Sequence, residues 1–63
     1  MRYRVIMFHE GKPQGYLANV NCWRVKSEVM ADIFGSLERA EDMGQTMAEN
    51  LGENWEYQTE EIV

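Results

Sequence analysis

Apolar and polar residues follow three rhythms along these 63 residues, and each rhythm predicts an element. Arg2 to His9 (RYRVIMFH) is rich in Tyr, Val, Ile and Phe, side chains that fit a pleated surface, and predicts a strand. Gly11-Lys12-Pro13-Gln14-Gly15 follows as a turn signal, because Pro presets φ and Gly accepts positive φ. Tyr16 to Val25 (YLANVNCWRV) resumes a strand-like run, so the two stretches read as a β-hairpin. With the turn at Gly11–Gly15, His9 pairs with Tyr16, Met7 with Ala18, Val5 with Val20 and Tyr3 with Cys22. Side chains alternate along a strand, which puts Tyr3, Val5, Met7, His9, Tyr16, Ala18, Val20 and Cys22 on one face, the better core. Arg2, Arg4, Ile6, Phe8, Leu17, Asn19, Asn21 and Trp23 take the other face. A slip of one residue would exchange the faces.

Ser36 to Leu51 (SLERAEDMGQTMAENL) changes to helical spacing. Leu37, Ala40, Gly44, Met47, Ala48 and Leu51 form one apolar stripe. Ser36 is a fitting N-cap, its hydroxyl accepting from first-turn amides, and Glu38 suits the positive end of the dipole. Gly52 reads as a left-handed stop. Gly44 within the stripe costs about 1 kcal/mol relative to Ala, which a close approach of helix to sheet would explain. Glu28 to Phe34 (EVMADIF) fits a helical template too, but Gly35-Ser36 is a break followed by a fresh cap. A short strand around Met30–Phe34 is the expectation there. Trp55 to Val63 (WEYQTEEIV) alternates Trp55, Tyr57 and Thr59 with Glu56, Gln58 and Glu60, a strand with one wet face. The order β-β-(β)-α-β predicts an α+β fold, with one helix on one face of a small, mostly antiparallel sheet.

Length makes residues 1–63 one domain, with a core small enough that packing or self-association must supply its stability. One cysteine, Cys22, cannot form an internal bridge and fits a reducing compartment. The apolar run at the N-terminus stops at His9-Glu10, too early for a signal peptide, and no stretch is long enough for a membrane helix. A cytoplasmic location is expected. The net charge of −5 divides unevenly. Residues 1–26 carry Arg2, Arg4, Lys12, Arg24 and Lys26 against Glu10, whereas residues 27–63 carry ten acids against Arg39. Overall repulsion argues against nucleic acid as a partner. Glu38, Glu41, Asp42 and Glu49 mark an acidic helix face, which is either solubilising surface or a mimic of nucleic acid for a basic target site.

The spacing of Gly15-Tyr16-Leu17, Trp23, Ala31, Phe34, Ser36, Ala40, Gly52 and Trp55-Glu56-Tyr57 resembles small uncharacterised proteins of bacteriophages and prophages. In those, a hairpin ending near a Trp leads to an A-x-x-F-x-S-x-x-x-A strand-to-helix junction and a closing strand; here the junction runs from Ala31 to Ala40. The resemblance covers most of the chain, but its residues are structural and carry no chemistry of their own. It implies a phage accessory protein that binds and inhibits a component of the host.

No catalytic, cofactor or metal constellation is legible. His9 and Cys22 lie about 20 Å apart in the expected register, far beyond the ~3 Å a general base requires. The adjacent acids Glu41-Asp42 and Glu60-Glu61 point to different sides of their elements, so neither pair is a dyad. The outer hairpin face is the feature a solitary domain does not need. Ile6, Phe8, Leu17 and Trp23 form an apolar patch rimmed by Arg4, Asn19 and Asn21, an arrangement typical of protein contact sites. The expectation is a non-enzymatic interaction module that binds a host protein or a second copy of itself.

Overall fold

Glu10 (φ 52°) and Gly11 (φ 80°) turn the chain between its first two strands. Both are left-handed, as a two-residue type I′ turn demands, and the twist of that turn matches the strands it joins. In the computed structural model, which describes residues 1–18 and 32–63, β1 spans Arg2–His9 and β2 Lys12–Tyr16. His9 therefore faces Lys12, not Tyr16. Pro13 belongs to β2 rather than to the turn, opposite Phe8, where an edge strand tolerates the missing N–H. Between Met7 and Phe8 the register shifts, leaving Gln14 as the extra residue of a β-bulge beside Gly15 (φ 148°). Gly15 then faces Met7 and Tyr16 faces Ile6, while the Leu17 N–H donates to the Val5 carbonyl at 2.8 Å.

That bulge decides which residue enters the core. Continued without it from the same turn, the hairpin would set Leu17 opposite Arg4, away from the helix. The extra residue moves Leu17 opposite Val5, and Leu17 is 1% exposed. The expected register is thus corrected: Tyr16 and Leu17 exchange faces. Ala18, just beyond the strand, is buried as expected. The Val20 and Cys22 pairings lie outside the described residues.

Helix α1, Leu37–Leu51, starts where the sequence indicates. Ser36 is extended, and its hydroxyl accepts from the Arg39 N–H at 3.2 Å. The Gly52 N–H closes the other end on the Ala48 carbonyl at 3.2 Å. Its φ of 112° with ψ of −159° lies in a glycine-only region rather than the left-handed helical one expected. Ala40, Gly44 and Ala48 are the buried stripe. A Cβ on Gly44 would sit 2.6 Å from the Tyr57 ring, the close approach that keeps this residue bare.

Strand β3, Trp55–Ile62, pairs antiparallel with β1 over eight consecutive partners, from Arg2 with Ile62 to His9 with Trp55. The sheet order is β2-β1-β3, with α1 packed across β1 and β3. Val5, Met7, Leu17, Ala40 and Ala48 form the core, with Tyr3, Phe34, Met47, Leu51, Trp55 and Tyr57 partly buried around it. Leu37, expected in this core, is 42% exposed. Of the expected strand at Met30–Phe34, the described part is one antiparallel bridge, with Phe34 and Tyr3 exchanging hydrogen bonds of 2.8 and 2.9 Å. Met30 and Ala31 fall outside the described residues.

Candidate protein-interaction surface

Cross-strand partners in an antiparallel sheet share a face. The pairings therefore place Val5, Met7, Tyr57 and Thr59 toward α1, and Arg4, Ile6 and Phe8 on the opposite face with Tyr16, Glu56, Gln58 and Glu60. Among the described residues no helix or strand packs over that opposite face. Ile6, Phe8 and Tyr16 are half-buried there, held by their strand neighbours.

Charged groups brace the outer face. The Arg4 guanidinium donates to the Glu60 carboxylate in an ion pair whose side chains are 18% and 38% exposed. The same guanidinium lies 5.5 Å from the centre of the Tyr16 ring, within cation–π range. Tyr16 is the diagonal neighbour of Arg4, so this contact exists because the bulge turned Tyr16 outward. Shallow hollows flank Phe8 on both sides, one lined by Glu56 and Gln58, the other by Ile6, Pro13 and Tyr16.

Of the four residues expected to form the patch, Ile6 and Phe8 occupy this face together. Leu17 does not: it is a core residue. Trp23 lies outside the described residues, as do Asn19 and Asn21. Tyr16 is the member that sequence reasoning missed. Its signal was Glu10-Gly11 directly after a strand, a two-residue turn masked by the more conspicuous Pro13.

The acidic helix residues Glu38, Glu41, Asp42 and Glu49 are all exposed on one stripe of α1, with Gln45 among them. This stripe turns toward the β3 side of the molecule. There Gln45, Glu49 and Gly52 meet Glu56 and Tyr57 across an open groove of about 430 Å³. On the β2 side the helix presents Met43, Thr46 and Asn50 against Leu17, Ala18 and Asp32.

His9 stacks on Trp55, its cross-strand partner, with ring centres 4.7 Å apart and an interplanar angle of 30°. Its Nδ1 is 3.9 Å from a carboxylate oxygen of Glu10, and its side chain is 38% exposed. This is the hairpin-end position expected for it. Among the described residues, no three His, Cys, Asp or Glu side chains gather where they could hold a metal ion, and no helix is long and apolar enough to cross a membrane. No family model, curated protein or solved structure matches this chain.

Proposed function

We propose that this chain is a non-enzymatic protein-interaction module, a phage accessory protein whose outer sheet face binds a protein of the host cytoplasm. The observation that carries the reading is the face around Ile6, Phe8 and Tyr16, over which no described helix or strand packs. Its apolar centre is flanked by a braced cation and carboxylates, the layout of an interface with a greasy middle and a polar rim. Arg4 and Tyr16 belong to the residue types that most often dominate binding energy. The phage setting rests on the resemblance in spacing between Gly15 and Tyr57, the strand-to-helix junction included.

The test replaces Ile6 and Phe8 together by Ser. Both lie on the face opposite the helix, so the double variant keeps the circular dichroism of the parent. Tagged parent should retain a defined protein from host lysate, and the variant should lose it. Sedimentation velocity of the purified parent separates a foreign partner from a second copy of the chain. Retention of the same protein by parent and variant alike would remove the outer face from the account. The exposed carboxylates of α1 support a second reading, a nucleic-acid mimic. In that case Gln at positions 38, 41, 42 and 49 abolishes retention instead.

A further inference from the structure

The two edges of the sheet are built differently, and among the described residues no strand pairs with one of them. Tyr3 exchanges both backbone hydrogen bonds with Phe34, and the Val5 carbonyl accepts from Leu17. Because backbone groups alternate in direction along a strand, Arg4, Ile6 and Phe8 turn theirs the other way, to Glu60, Gln58 and Glu56 of β3. It follows that Tyr57, Thr59 and Glu61 direct their N–H and C=O groups outward from the sheet. Among the described residues, no other strand pairs with that side of β3.

Edges are usually blunted by short length, Pro, Lys or a bulge. The β2 edge has five residues, with Pro13 and a bulge. The β3 edge has eight residues in unbroken register, with no Pro, Gly or Lys. It carries instead Glu56, Glu60 and Glu61. The groove beside it has Glu49 on its helix wall and Glu56 on its strand wall, and no basic residue lines it.

We infer that the outer edge of β3 is a docking site for an extended, basic segment of a partner protein, which adds as a further antiparallel or parallel strand. The backbone groups of Tyr57, Thr59 and Glu61 supply the ladder, which is how strand addition gains affinity. Side chains of the incoming segment that turn toward α1 enter the groove, where Glu49 favours Lys or Arg, and those that turn to the outer face meet Glu56. The same acids set this edge against self-pairing. A second copy would bring three more carboxylates to the seam, from a chain already at −5. Glu56 also belongs to the rim of the outer face, but Ile6 and Phe8 of β1 are no part of this edge, so Phe8→Ser separates the two.

The experiment is selection from a display library of random short peptides, followed by titration of the enriched peptides into the labelled protein. Enriched sequences should alternate Lys or Arg with β-branched residues, and binding should slow amide exchange at Tyr57, Thr59 and Glu61. Thr59→Pro removes one outward donor at an edge position that accepts proline, and should weaken binding by at least about ten-fold. Glu49→Gln and Glu56→Gln, which leave the backbone untouched, should each weaken it by about three- to five-fold at low salt. Phe8→Ser should leave it unchanged. The inference is overturned if no peptide is enriched above the Thr59→Pro control, if the enriched peptides lack basic residues, or if the two Gln variants bind as the parent does.

Discussion

The β2 side and the β3 side of this small sheet solve the same problem in opposite ways. β2 is short, kinked by one extra residue and quickly left behind, its continuation at Leu17 and Ala18 entering the core. β3 is long, regular and acid-bearing, and it ends the sheet without cover among the described residues. The helix above repeats the division, with uncharged Met43, Thr46 and Asn50 toward β2 and Gln45 and Glu49 toward β3. One side of the molecule is spent on stability. Among the described residues, the other keeps backbone and charge available, which is what a binding edge needs.

Truncation at Leu17 should break that comparison most severely. Leu17→Ala empties a fully buried site and should cost about 2–5 kcal/mol in urea unfolding. Leu37→Ala, on the apolar stripe of α1 by sequence but 42% exposed, should cost less than about 1 kcal/mol. Equal losses would mean that Leu17 is not the core residue that the bulge makes it. Gly44→Ala comes next. The change improves helix propensity by about 1 kcal/mol, yet the added Cβ meets the Tyr57 ring at 2.6 Å. Overpacking should win by about 1–3 kcal/mol, and a more stable variant would show that α1 can lift from β3 without cost.

Smaller effects sharpen the contrast. Deleting Gln14 removes the bulge but leaves Gly15 opposite Met7, so Leu17 stays inside. The deletion should change stability by about 1 kcal/mol or less, whereas inserting a residue beside Gln14 should turn Leu17 outward and cost as much as Leu17→Ala. Glu60→Gln removes the Arg4 pair on the outer face. With both side chains in contact with solvent, the loss should be about 0.2–1 kcal/mol and should shrink in high salt.

The same two sides explain how far the fold could be read from the residues. β3 follows strict alternation, so Trp55, Tyr57 and Thr59 could be set against the helix from sequence alone. The helix was legible because Ser36 caps it and the break at Gly35 precedes it, and Gly44 foretold the close contact with the sheet. β2 defeated the same reasoning. A bulge leaves no mark in hydrophobic pattern, and Pro13 looks more like a turn than the Glu10-Gly11 pair that makes it. Three positions of error in the register, an odd number, reversed Tyr16 and Leu17. Of the expected patch, Ile6 and Phe8 survived because they belong to β1, whose alternation does not depend on the turn. Leu37 was misplaced for a different reason: it shares the stripe in sequence, but in the first turn of α1 it stays 42% exposed. The open edge of β3 was invisible in sequence, since it depends on which strand lies in the middle.

Site-resolved amide hydrogen exchange along β3 tests the open edge directly. In an open edge strand, protection alternates: the N–H groups of Glu56, Gln58 and Glu60 donate to β1 and exchange slowly, while those of Tyr57, Thr59 and Glu61 face water and exchange fast. The account predicts this alternation at every protein concentration. Uniform protection from Glu56 to Glu61 would contradict it, because the edge would then already be occupied, by the chain itself or by a second copy.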